Sequence, residues 1–144
     1  MRVSTPPPGR GSRPPPKPGN KGAKTAAQYL EDAELARAAL DLHEALLAIE
    51  LALELEPNDP AIWADKAYTL LLKDARLHGR EANLLARDAR RADPSLPLPY
   101  VVVGLLMEQV GEVERALQMY RAALQRDQTC QEAQDCLDRH ERGK

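Results

Sequence analysis

The chain has no phenylalanine, a single tryptophan (Trp63) and four tyrosines in 144 residues. Sheets are built largely on aromatic and β-branched side chains, so this shortage argues against them. Alanine and leucine instead dominate a hydrophobic fraction of 43%, a composition suited to closely packed helices. The expected fold class is all-α, in a chain of single-domain length. No run of about 18 apolar residues occurs, so no membrane span is expected. The N-terminus has no apolar stretch of the secretory-leader type. Only two cysteines are present, Cys130 and Cys136, six positions apart and without a CxxC or other metal-ligand spacing. They are expected to be ordinary thiols in a reducing, cytoplasmic compartment. No glycine-rich phosphate loop is present. His43, His78 and His140 are scattered, with no triad or metal set among them. Catalysis, a metal and a cofactor are therefore all unexpected.

Charge is unevenly placed. Residues 1–24 hold Arg2, Arg10, Arg13, Lys17, Lys21 and Lys24 and no acid. The remainder has 14 basic and 22 acidic residues, a net charge of −8 behind a segment of +6. The same first segment contains Pro6, Pro7, Pro8, Pro14, Pro15, Pro16 and Pro18 with four glycines, and almost nothing apolar to anchor it. A disordered tail with polyproline II character is expected over residues 1–24. Pro15 and Pro18 form a PxxP of the SH3-ligand kind, without the flanking cation such ligands carry. The positive charge suits nucleic acid or an anionic surface, but no aromatic residue is interleaved for base stacking. A linker or solubilising tail is the plainer reading.

Residues 26–128 carry a recurring pattern. Prolines fall at Pro57 and Pro94, and Gln128 stands 34 positions after Pro94. Aromatics fall at Tyr29, Trp63 and Tyr100, and small residues follow four later at Ala33, Ala67 and Gly104. Further sets in step are Ala45, Ala82 and Ala116, then Ile49, Ala86 and Tyr120, then Ala52, Ala89 and Ala123. The middle unit has three extra residues, expected in a loop over Lys73 to Gly79, since loops tolerate insertion. The pattern resembles the tetratricopeptide-repeat (TPR) family, whose unit is a helix–turn–helix of about 34 residues. Gly111 matches the glycine between the family's two helices; the first unit has Leu40-Asp41 there. The resemblance implies a right-handed α-solenoid of three hairpins, with repeats at roughly 26–59, 60–96 and 97–130. Helices are expected at roughly 26–39, 42–56, 60–75, 80–92, 97–110 and 113–126. Asn58-Asp59-Pro60 supplies a helix start for the second unit. A polar helix over 130–141, opened by Thr129 as N-cap, would cap the array within a domain spanning 25–144. The N-terminal end lacks such a cap, which makes its first helix a natural place for partner contact or self-association.

The resemblance also implies a function. In such arrays the first helices of the hairpins line a concave groove that holds a segment of another protein. The inward positions would be Leu30, Glu34 and Arg37; then Ala61, Ala64, Asp65, Tyr68 and Leu71; then Leu98, Val101, Val102, Leu105 and Glu108. Most are apolar, so an apolar or amphipathic ligand is expected, with the protein serving as an adaptor or scaffold. The Lys/Asn/Arg clamp by which some relatives grip the acidic C-terminal tails of Hsp70 and Hsp90 is replaced by Leu30, Glu34, Asp65, Leu98 and Val102. None of these holds a carboxylate, and two repel it. A short acidic protein with an apolar groove is also similar to bacterial type III secretion chaperones for translocators. The Ala, Arg, Leu and Pro bias suits a GC-rich bacterial genome. The helix containing Val101-Val102-Val103-Gly104-Leu105-Leu106 is apolar all round. A C-terminal contact, a homodimer or a ligand must cover its second face.

Overall fold

The computed structural model describes residues 23–143; the basic, proline-rich residues 1–22 expected to be disordered lie outside them. The described residues are all-α. The helices are α1 (Ala26–Ala38), α2 (Leu42–Leu55), α3 (Pro60–Ala92), α4 (Leu98–Gln109), α5 (Val113–Arg126) and α6 (Gln131–Arg142). They fall into two compact units, Met1–Asp59 and Pro60–Lys144.

The first unit is one hairpin of α1 on α2. Thr25 opens α1 with a reciprocal capping box. Its hydroxyl accepts from the Gln28 amide (3.2 Å) and the Gln28 side chain accepts from the Thr25 amide (2.9 Å), which satisfies two otherwise orphaned donors. The helix ends on Leu40, whose φ is +61°. The Leu40 amide donates to the Arg37 carbonyl (2.9 Å) and the Asp41 amide to the Ala36 carbonyl (2.8 Å). This is the Schellman turn that glycine usually supplies. Asp41 then caps α2 by accepting from the Glu44 amide (3.2 Å). Ala45, Ala48, Ile49 and Ala52 form the buried face of α2.

The second unit holds two hairpins and α6. Its first hairpin lies inside α3, broken at Asp74, where φ is −163° and ψ is 97°. The Asp74 carboxylate accepts from the Arg76 and Leu77 amides (3.1 and 3.0 Å) and so caps the helical arm that follows. This corrects the expected loop over 73–79: one residue makes the break, and the extra length goes into the second arm. His78 and Gly79 are helical. An N-terminal helical extension satisfies its own backbone, which a longer loop would leave to solvent.

The second hairpin joins α4 to α5 through Gly111, with φ +86°. The Gly111 and Glu112 amides donate to the Glu108 and Met107 carbonyls (3.0 and 2.9 Å), the same turn that Leu40 makes. The small residues that mark the repeats are all interior. Ala33, Ala67, Ala45, Ala82, Ala116, Ala52, Ala89 and Ala123 have no exposed surface, and Gly104 is buried with them. At the α4–α5 crossing, a Cβ on Gly104 would lie 2.5 Å from a Tyr120 ring carbon. The missing methyl is what lets the largest fully buried side chain of the unit into the core.

A turn that the sequence reading did not find recurs after α3 and α5. The Asp93 carboxylate accepts from the Ser95 amide and hydroxyl (3.0 and 2.6 Å). Asp127 does the same with Thr129 (2.9 and 2.6 Å). Thr129 is therefore spent on the turn, and Cys130 is the N-cap of α6, which corrects the expected cap. These bonds stabilise the charged carboxylates and hold both below the usual aspartate range.

Candidate functional site

The first question is what covers α4. It packs against α3, α5 and α6. Val101 and Val102 are fully buried, Val101 in the core shared with α5 and α6 and Val102 in the core shared with both arms of α3. The contact from the C-terminal helix, one of the coverings its composition called for, is present. Its polar lock centres on Glu108. The Tyr120 hydroxyl donates to the Glu108 carboxylate. Arg139 on α6 pairs with the same carboxylate at 2.6 Å. The Nε2 of His140 stands 2.9 Å from its other oxygen, without the alignment of a hydrogen bond. Burial, reinforced by the Glu108 contact, pushes the Tyr120 hydroxyl pKa far up, so the phenol keeps its proton and remains a donor.

Beside this lock lies an open cleft of about 290 Å³, lined by Leu71, Leu72, Ala75, Leu105, Glu108, Gln109 and Arg139. The Asp74 break falls between two of its lining residues, Leu72 and Ala75, and the first arm of α3 stops just after Leu70-Leu71-Leu72. Leu70 and Leu71 turn inward, at 5% and 6% exposure, whereas Leu72 is 43% exposed. The floor is aliphatic and the rim is a paired Glu–Arg. A second, larger cleft, about 430 Å³, lies on the other side of α6 among Val113, Glu114, Leu117, Arg121, Arg139, His140 and Gly143. Four of its seven lining residues are titratable, and it lacks a comparable aliphatic floor.

The expected groove residues thus part into groups. Leu71, Leu105 and Glu108 come together at the first cleft. Tyr68 and Leu98 are half-buried and pack onto the core near it. Ala61 and Asp65 are also half-buried. Val101, Val102 and Ala64 (1% exposed) are interior, so they shape the floor from behind and offer no contact surface. Glu108 is engaged by α6. Leu30 and Arg37 are half-buried and Glu34 is exposed on α1, in the other unit. Sequence reasoning missed Leu72, Ala75, Gln109 and Arg139. The leucine triplet ahead of Asp74 was the available signal for Leu72; Arg139 could be found only once α6 was placed.

The site offers little for covalent chemistry. Cys130 and Cys136 are free and buried. Burial pushes the Cys130 thiol up to about 11 and raises Cys136 as well, which suppresses the reactive thiolate at neutral pH. Among the described residues no group of His, Cys, Asp or Glu has the geometry to hold a metal ion. No helix among them is long and apolar enough to cross a membrane.

No protein-family model and no curated protein matches the sequence. Solved structures do match. The TPR domain of Arabidopsis OM64 superposes with a TM-score of 0.57 at 17% identity, covering 79% of this chain and 92% of that one. The first TPR of Spaghetti (RPAP3), solved with an HSP90 peptide of sequence SRMEEVD, has a TM-score of 0.57 at 18% identity, covering 83% of this chain and 92% of that one. The chain has the tetratricopeptide-repeat fold. The marks that define it here are mostly alanines and one glycine at helix crossings, a thin signal for sequence comparison and a definite one for backbone geometry.

Proposed function

We propose that the protein is a non-catalytic adaptor that holds an apolar or amphipathic segment of another protein against the cleft between the first arm of α3, α4 and α6. The observation that carries this reading is the pairing of an exposed Leu72 with an aliphatic floor of Leu71, Ala75 and Leu105. The cleft is shallow, with a volume just under the ~300–1,000 Å³ of enclosed small-molecule sites. An extended or helical protein segment suits it better than a small metabolite. Suppressed thiols and scattered histidines support a binding role in place of a catalytic one.

The ligand differs in kind from the acidic SRMEEVD peptide carried by the RPAP3 domain. Leu98 and Val102 are aliphatic and Asp65 is anionic at clamp positions of the second unit, and an acidic peptide gains nothing from any of them. The test is capture of a partner from cell lysate by the full chain and by Leu72→Glu. Leu72 is exposed enough for the fold to survive, which circular dichroism checks. Loss of the captured protein in the variant supports the reading; undiminished capture rejects it.

A further inference from the structure

The second arm of α3, residues 75–92, has two faces of opposite character. Ala82, Ala86 and Ala89 are fully buried. At about 100° per residue, Leu77, Arg80, Leu84, Arg87 and Arg91 fall on the other side in one strip about 80° wide, with Arg76 at its edge. All six are exposed, Leu77 at 73% and Leu84 at 43%. The arm holds five arginines against two acids, Glu81 and Asp88, a net charge of +3 within a folded body of −8.

Both acids are occupied. Glu81 pairs with Lys66 (3.7 Å) and Asp88 with Arg87 (3.6 Å). At the two ends of the arm, the Asp74 and Asp93 carboxylates accept from backbone amides of the break and the turn. Among the described residues, the side chains of Arg76, Arg80 and Arg91 have no ion pair and no hydrogen bond. Leu77 and Leu84 likewise gain little from the fold, because the helix already buries its alanine face. Unpaired guanidinium groups beside outward leucines match the interface of an anionic bilayer. There cations meet lipid phosphates while aliphatic side chains enter the headgroup–acyl boundary. A nucleic acid would use the arginines and leave the leucines in water, and the arm has no Tyr, Trp or Phe to stack on a base. We propose that the outer face of the second arm of α3 docks on an anionic phospholipid surface, with Arg76, Arg80 and Arg91 on lipid phosphates and Leu77 and Leu84 in the interface. None of these residues lines the aliphatic cleft, so the inference stands without the adaptor reading.

The experiment is co-sedimentation of the full chain with vesicles of equal parts phosphatidylglycerol and phosphatidylcholine. Binding is expected at about 0.1 M salt and should fade toward about 1 M, as the Debye length falls from about 10 Å to about 3 Å. Vesicles of phosphatidylcholine alone should not bind. Each basic residue at an anionic surface is worth about a five-fold change in partitioning, so Arg76→Gln/Arg80→Gln/Arg91→Gln should lower it on the order of 100-fold. Leu77→Gln/Leu84→Gln, which keeps every charge, should lower it on the order of ten-fold. Glutamine matches arginine and leucine in helix propensity, and circular dichroism checks that both variants stay folded. The proposal is overturned if the full chain does not bind the anionic vesicles. It is overturned if the arginine variant binds unchanged, which would assign binding to the basic residues 1–24 that both variants retain. It is also overturned if the leucine variant binds unchanged, or if a DNA duplex binds more tightly than the vesicles through the same arginines, since the face would then be one for nucleic acid.

Discussion

Gly104 and Tyr120 set a tight crossing of α4 and α5, and their complementarity is quantitative enough to test. A methyl at position 104 would come within 2.5 Å of the ring, far inside contact distance. The tyrosine has no room to retreat, being fully buried. Gly104→Ala gains up to about 1 kcal/mol of helix propensity, but overpacking costs about 1–3 kcal/mol. The variant should unfold at lower urea with the same slope; an unchanged or higher midpoint would show that α4 and α5 separate freely. Leu40 is the opposite case. Its left-handed conformation costs about 1–2 kcal/mol for a side chain with a Cβ, and at 83% exposure it contributes little to the core. Leu40→Gly removes that cost and adds about 0.5–1 kcal/mol of unfolded-state entropy. A net stabilisation of several tenths of a kcal/mol is expected in urea titration, and a net loss would mean that the leucine side chain packs in solution.

At the scale of elements, α6 is held by one carboxylate that serves three partners. Glu108→Ala leaves the buried Tyr120 hydroxyl without its acceptor, at a cost of about 1–3 kcal/mol, and frees Arg139 and His140. Amide hydrogen exchange across Gln131–Arg142 should accelerate well beyond that across α1. Equal protection in both proteins would show that Cys136 and Ala133 hold the helix by packing alone. The repeated turns give a pH prediction. Asp93 and Asp127 have folded-state pKa values lowered from 3.8 by Ser95 and Thr129. Their contribution is therefore present above that unfolded value and lost as pH falls through the lower folded ones. In Asp93→Asn/Asp127→Asn the decline of the urea midpoint between about pH 5 and pH 2 should be shallower; parallel curves would refute the assignment.

These turns also show what the sequence conveys and what it withholds. Helix bounds followed from punctuation: Pro60 and Gly111 have direct stereochemical meaning, and all six helices begin and end within one residue of an expected bound, the break inside α3 aside. The Asp-x-Ser/Thr turn is hidden in the sequence because Pro94 and Gln128, the residues that punctuate the repeat, stand between its working parts. The break in α3 was misplaced for a related reason. Lys73 to Gly79 has loop-like composition, but a single aspartate that caps its own successor makes a sharper and cheaper corner. At the site, helical periodicity identified which residues face inward without distinguishing an inward face that is covered from one that is open. Val101 and Leu72 differ in that respect through α6 and the Asp74 break, both tertiary facts.

For the whole molecule, the fold explains how a chain almost without large aromatics sustains a core. Within each unit, buried alanines and Gly104 bring helices close enough for leucine, isoleucine and one tyrosine to fill what remains. One such array leaves an aliphatic cleft beside a closed ionic lock, and the adaptor reading rests on that cleft. The most direct test is a photo-crosslinking amino acid placed at position 72 and, as control, at position 84, since Leu72 and Leu84 are equally exposed at 43%. Irradiated in lysate, the protein with the probe at 72 should join to a discrete partner while the probe at 84 should not. Adducts from position 84 alone, or from position 72 only to further copies of the same chain, would contradict the account.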